Sequence, residues 1–600
     1  MPDLSNFPYP LIVYDLSGLT AAQRRHLTSG CNLREGGDTA SRAPSQKNDE
    51  FAFGSRGAHK MAKKQAIFDY DGEIYYHRPD QYGAHELSEP LNHEPVEFNL
   101  DDYAGLGFTY RGKPIADLDR VFDQIDSGRQ LKITGNNTIT YTFLDLNHLT
   151  GLYNNPNNGF TAGNGVNPFS ATQRAEARQS IQFWDDLIAP TFVEKNGMGA
   201  DIVMANSADP AQAYAYYPGT KGWKFQSDVF IADPNLNWTN NWLGFNGYGA
   251  TTLIHELGHA IGLSHPGAYN GAAATTYAGQ AEYAQDSEQY TIMSYWSPSE
   301  TGARVVDWST FLNGNAQTPM LHDIYVIQQK YGADLTTRTG DTVYGFNSNA
   351  GRDVFDFSSN KFPNVAVYDA GGNDTFDFSG FNASTFIDLH AGSFSSAAQA
   401  VPTLAEINAN RAALTQIADG AQTFGALTQA SVDATANSYM NAIANAIAAD
   451  TGVTGVRATA YDNIAIAYGT IIENAIGGSA RDVIWGNEVA NKLDGRGGDD
   501  VLNGFEGADT LTGGTGKDIF QFSHAEFGDR ITDFVSGTDK IDLSAFAGTL
   551  SFVGDAAFSG ANQVRYANGT VYADFNGDGV ADFSVHLGAG TALLAGDLIL

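Results

Sequence analysis

The chain has 600 residues, 68 acidic against 34 basic for a formal net charge of -34, 42% hydrophobic residues and a single cysteine. That length exceeds what one hydrophobic core usually supports, so two or more domains are expected, and the ordinary hydrophobic content marks a folded chain. The acidic excess argues against nucleic acid as a partner and for cations, one cysteine excludes an internal disulfide, and no apolar run of about 18 residues offers a transmembrane segment.

The opening residues, MPDLSNFPYPLIVYD, lack a basic stretch followed by a long apolar run, so no cleavable signal of that type is expected. Residues 1–112 read as an N-terminal extension, first rich in Ser, Gly and charge and then, from 65 to 110, in aromatics. An inhibitory propeptide, which would make the chain a zymogen, is one expectation for it; attachment to a surface is the other. Residues 171–188, ATQRAEARQSIQFWDDLI, set Ala175, Ile181, Phe183, Trp184 and Ile188 at helical spacing, and 200–205 and 212–217 read as strands.

From His255 to His265 the chain reads HELGHAIGLSH, three imidazoles, a carboxylate and a glycine in one short run. On a helix, His255 and His259 share a face and can converge on one ion, with Glu256 beside them facing a metal-bound water. Gly262 can adopt positive φ, end the helix and return His265 to the same ion. Downstream, TIMSYW places Met293 and Tyr295 in a candidate turn, and LHDIYVIQQKYG sets Leu321, Ile324, Ile327 and Tyr331 on one helical stripe.

HELGHAIGLSHP followed by TIMSYW resembles the serralysin branch of the metzincin zinc endopeptidases. The resemblance implies one catalytic Zn2+ on His255, His259 and His265, and Glu256 as the base that assists attack of a zinc-bound water on protein or peptide substrates. Met293 would be the apolar floor, and Tyr295 a catalytic oxyanion donor and reversible zinc ligand. AQAYAYYPG resembles the edge strand over the cleft, which holds a peptide extended through main-chain hydrogen bonds. A pro-segment cysteine silences the zinc in some other metzincins; the flanks of Cys31, SGCNLREG, lack that motif, and an incidental thiol is expected.

The C-terminal third repeats every nine residues: GGSARDVIW from Gly477, GNEVANKLD, GRGGDDVLN, GFEGADTLT and GGTGKDIFQ. The sixth position reads Asp482, Asn491, Asp500, Asp509, Asp518, and the eighth is always Ile, Leu or Phe. The pattern resembles the calcium-binding nonapeptide of the RTX parallel β-roll, which implies glycines for tight turns, aspartates for several structural Ca2+ and the large apolar residue for the interior. Residues 339–600 hold 31 acidic and 11 basic residues, so calcium is expected to supply folding free energy, leaving the segment unfolded in low-calcium cytoplasm. The second unit, with Asn487, Val489 and Asn491, makes one site doubtful.

Two earlier stretches, NSNAGRDVFDF and DAGGNDTFDF with Asp374, read as roll entry, and together with TRTGDTVYGFNSN they resemble the start of the serralysin C-terminal domain. Residues 396–456 interrupt the roll with alanine-rich helical spacing, expected as one or two helices projecting from it. DFNGDGVAD, from Asp574 to Asp582, fits a further calcium loop or a solvated turn equally. The final AGDLIL resembles the C-terminal address of proteins exported by bacterial type I transporters, which makes a type I ABC secretion apparatus an expected partner.

The fold expected is an α+β metzincin catalytic domain over 113–338, followed over 339–600 by an all-β parallel β-roll of RTX type with a helical insertion at 396–456. The function expected is an extracellular, secreted zinc endopeptidase, with cell-surface association as a further expectation. The alternative is a catalytically silent, calcium-dependent surface-binding RTX protein, distinguished by the absence of chelator-sensitive cleavage. An RTX lipase is disfavoured by the lack of a G-x-S-x-G elbow.

Overall fold

The computed structural model describes residues 99–600 apart from 134, 146–152, 154–164, 198, 209, 220–226, 270–275, 547 and 589. Cys31 and nearly all of the expected extension thus lie outside the described residues. The described chain begins by burying Leu100 and Tyr103 in the main core, followed by helix α1 (Leu118–Ile125), whose first turn is capped by the Asp117 carboxylate on the Arg120 amide.

Five strands then form a mixed sheet: β1 (Thr138–Phe143), β2 (Thr191–Glu194), β3 (Ile202–Ser207), β4 (Ala213–Ala215) and β5 (Ser227–Ala232). Their spatial order is β2-β1-β3-β5-β4, all parallel to their neighbours except β4, which runs antiparallel to β5 and forms the edge. The central β3 and β5 are buried throughout, as both faces of the sheet are covered there. Helix α2 (Ala171–Asp185) opens on a capping box between Ser170 and Gln173, and its Trp184 donates Nε1–H to the Ile254 carbonyl of α3 (Tyr248–Ile261) at 3.1 Å. Helix α4 (Leu321–Tyr331) closes this half, its Tyr331 hydroxyl donating to the Ile261 carbonyl at 2.8 Å.

Beyond α4 the chain coils. The nine-residue units alternate between two parallel sheets: Val483–Asn487, Val501–Phe505 and Ile519–Gln521 stack in one, Lys492–Asp494 and Thr510–Thr512 in the other. Val483 pairs with Val501 and Lys492 with Thr510, so one full coil takes 18 residues. Ile484, Leu493, Leu502, Leu511 and Phe520, the eighth residue of each unit, fill the interior. One sheet has ten strands and includes an antiparallel hairpin, Gln563–Ala567 with Thr570–Asp574, before its edge strand Ser551–Phe552; the other has six and ends with Leu598–Ile599 in parallel pairing with Lys540–Asp542.

The interruption consists of two helices, α5 (Leu404–Ile417) and α6 (Gln429–Thr451). They lie against the body rather than projecting from it. Leu414, Ala418 and Phe424 pack with Trp238 and Trp242 just before α3, while Ile443, Ala446 and Ile447 cover Val483, Trp485, Val501 and Phe505 on the roll. Arg411 donates to the Gly425 and Thr310 carbonyls, each at 2.8 Å. Helical apolar spacing creates a face that must be covered, and here both halves of the molecule cover it. A second link runs through Asp186, at the end of α2, which accepts from Arg338 at 2.7 Å and Arg352 at 2.6 Å. No helix among the described residues is long and apolar enough to cross a membrane.

Candidate metal centre

Helix α3 carries His255, Glu256 and His259, all buried. It ends at Gly262, where φ is 107° and a Cβ would stand 2.2 Å from the Arg129 carbonyl oxygen, so only glycine fits the turn that brings His265 back. The three Nε2 atoms then lie 3.1 Å (His255–His259), 3.1 Å (His259–His265) and 3.2 Å (His255–His265) apart. Each Nδ1 faces a backbone carbonyl: His255 on Ile292 at 2.7 Å, His259 on Leu263 at 2.8 Å, His265 on Tyr269 at 3.1 Å. A proton on each Nδ1 leaves the Nε2 lone pairs converging on one point.

Three lone pairs at that spacing repel unless a cation lies among them. Tetrahedral zinc with bonds of about 2.0–2.1 Å separates its nitrogens by about 3.3 Å, so the donor set suits such an ion. Desolvation by burial holds all three rings below the ordinary histidine range, His255 at about 4, which keeps them neutral and available as ligands.

Met293 is fully buried beneath α3, and the Tyr295 ring lies 4.5 Å from that of His265 and 6.3 Å from that of His255. The Tyr217 ring meets His259 edge-on at 5.7 Å. The turn itself is held by a residue that the sequence did not single out. Asp323, in the first turn of α4, accepts from Thr291 Oγ1 and the Ile292 amide, both at 2.6 Å, and from the Met320 amide at 2.9 Å. Since the Ile292 carbonyl aims His255, Asp323 reaches the centre through a single residue, holding the Ile292 amide while the Ile292 carbonyl holds the ring. An acid at a helix start is visible in sequence; its partners 31 and 32 positions away are not.

The aspartates of the repeat do not gather at one point. They form two ladders along the roll, with each carboxylate accepting the amide of its counterpart one coil earlier. On one edge Asp482 accepts from Thr385, Asp500 from Asp482, Asp518 from Asp500 and Asp539 from Asp518. On the other edge Asp374 accepts from Thr342, Asp509 from Asn491 and Asp529 from Asp509. Among the described residues, Asp374, Asp500 and Asp509 each keep the second oxygen buried with no hydrogen-bond partner. Asn491 differs: its amide donates to the Glu473 carbonyl and to Asn487, and its oxygen accepts from the Asn487 amide. Glu526 and Asp529 join Asp509 in offering oxygens within 4.8 Å of one another, outside the nonapeptide register that the sequence reading relied on. In the Asp574–Asp582 loop the carboxylates are taken up by amides, Asp574 by Gly577 and Gly579 and Asp582 by Phe575.

Residues 333–403 and 440–600 match the family model described as Peptidase M10 serralysin C terminal, leaving out α5 and the first half of α6. The chain is 36% identical over 505 residues to the metallopeptidase AprA of Pseudomonas marginalis, covering 80% of this chain and 91% of that protein. Identity is 35% over 518 residues to serralysin G of Dickeya chrysanthemi, covering 81% and 92%. With the metalloprotease AprA of Pseudomonas entomophila it is 34% over 504 residues, covering 80% and 90%. Similarity of this extent, spanning the His255–His265 run as well as the coiled half, has one reading: the chain belongs to the serralysin family of secreted zinc metalloendopeptidases.

Proposed function

We propose that His255, His259 and His265 hold a single catalytic Zn2+ and that Glu256 and Tyr295 perform the chain's own part of peptide-bond hydrolysis. The observation that carries this is the convergence of three buried, neutral Nε2 atoms at 3.1–3.2 Å, each ring aimed by a carbonyl. When bound, the ion polarises a peptide carbonyl and acidifies a water toward neutral pKa. Glu256, buried beside His255, takes the proton of the attacking water and passes it to the leaving amine. Tyr295, its ring set edge-on to that of His265 at 4.5 Å, presents its hydroxyl to the developing oxyanion. The edge strand β4 holds the substrate extended through main-chain hydrogen bonds.

In this reading 113–338 is the metzincin unit and 339–600 the β-roll, with structural Ca2+ on Asp374, Asp482, Asp500, Asp509 and Asp518. The buried, unpartnered oxygens of Asp374, Asp500 and Asp509 support calcium there, and the satisfied Asn491 argues for one ion fewer. Export through a type I apparatus rests on the terminal AGDLIL. The test is Glu256→Ala: zinc content is retained while cleavage of a peptide falls by on the order of 100- to 10,000-fold. Full activity in a zinc-loaded variant would remove Glu256 from the mechanism.

A further inference from the structure

Asp286 lies between the loop after His265 and the turn that carries Tyr295, and it is 0% exposed. Its Oδ1 accepts the Tyr269 hydroxyl at 2.6 Å and the Ser294 hydroxyl at 2.7 Å, and its Oδ2 accepts the Trp296 indole N–H at 3.2 Å. These donors surround Tyr295. Ser294 and Trp296 are its chain neighbours, and the Tyr269 ring lies 4.9 Å from its ring and 5.1 Å from that of Trp296. Tyr269 also stacks on His265 at 5.5 Å and accepts that ring's Nδ1–H through its carbonyl. One carboxylate therefore binds the residue that aims the third imidazole and both neighbours of the tyrosine. Three donors and no acceptor is a set that a carboxylate satisfies and an amide does not, because an amide would turn an N–H toward a donor.

We propose that Asp286 is a positioning residue: it fixes Tyr295 relative to His265, and turnover depends on it through Tyr295. This rests on the catalytic part proposed above for Tyr295. Hydrogen bonds to an ionised acceptor are about twice as strong as neutral ones, and a displacement of about 1 Å at a reacting centre can cost about 100-fold in rate. Burial pushes the Asp286 carboxyl up to about 6, while the hydrogen bonds from Tyr269, Ser294 and Trp296 oppose the shift and favour the ionised form.

The test measures kcat, KM and, without substrate, zinc affinity by chelator competition on the full-length chain. The variants are Tyr295→Phe, Ser294→Ala, Asp286→Asn and the two doubles that combine Tyr295→Phe with each of the others. Ser294→Ala is expected to lower kcat about tenfold and Asp286→Asn about 100-fold, with KM within about twofold. Asp286→Asn should also weaken zinc about tenfold by loosening His265. With Phe at 295, neither change should lower kcat further by more than about twofold. The positioning role is overturned if kcat survives both single changes, or if each lowers kcat by the same factor whether Tyr or Phe stands at 295. An unchanged kcat in Tyr295→Phe would instead overturn the catalytic part of Tyr295 itself, and this proposal with it. Should Asp286→Asn fail to fold, Ser294→Ala decides alone, because it removes one donor and leaves the carboxylate bonded to two others.

Discussion

The sulfur of Met293 packs so closely under α3 that a Cβ on Gly258 would stand 2.6 Å from it, with the Trp184 ring 3.2 Å away on the same side. The methionine floor and the zinc helix are thus fitted to each other through a missing side chain. Gly258→Ala gains helix propensity but overpacks this contact, and the second effect should win by about 1–3 kcal/mol. A lower melting temperature together with reduced zinc retention is expected; an unchanged melting temperature would show that the floor yields.

Asp186 accepts from Arg338 and Arg352 with side chains no more than 24% exposed, joining α2 to the roll entry. Asp186→Ala leaves two guanidinium groups facing each other without their carboxylate and should cost about 3 kcal/mol. Denaturant unfolding is the measurement. Separation of one transition into two would show that the halves had uncoupled, whereas an unshifted midpoint would mean that the pair contributes nothing.

Desolvation pushes Asp374, Asp482 and Asp509 up to about 7 and Asp500 to about 8, from an ordinary 3.8. Without calcium, the folded roll then binds more protons than the unfolded chain between about pH 4 and about pH 8. Its metal-free stability is fullest below about pH 4 and is lost as pH rises through about 7–8. Circular dichroism in a calcium chelator should therefore gain β signal when pH falls from about 8 to about 5, and calcium should matter most at the upper end. A metal-free spectrum unchanged across that range would contradict the assignment.

Leu414 of α5 is 3% exposed against Trp238 and Trp242. Leu414→Ala should cost about 2–4 kcal/mol if the insert is an integral part of the body. Thermal melting followed by tryptophan fluorescence reads both the loss and the solvent exposure of those indoles. A variant as stable as the parent would mean that α5 is held elsewhere.

The three histidines were legible because a helical period and one glycine are local facts, and the nonapeptide because its code repeats within nine residues. What could not be read was partnership at a distance. Asp323 and Asp286 appear in sequence as ordinary acids; only the fold sets them against the Met293–Tyr295 turn. The apolar spacing of 396–456 announced one or two helices with a face to bury, but not that Trp238 and Trp485 would bury it. Likewise the ladder ends, Asp529 and Asp539, fall outside the nine-residue register, since they belong to segments that continue the coil by strand pairing without repeating its code.

Because successive nine-residue units fall on opposite sheets, the unit of inheritance for the roll is the coil of 18 residues, not the repeat of nine. Gain or loss of a single nonapeptide in this lineage would send every later strand to the wrong side, reversing the Lys540–Asp542 platform on which Leu598–Ile599 closes the sheet. Duplication of a pair would only lengthen the cylinder. Relatives of different length should therefore differ here by even numbers of units.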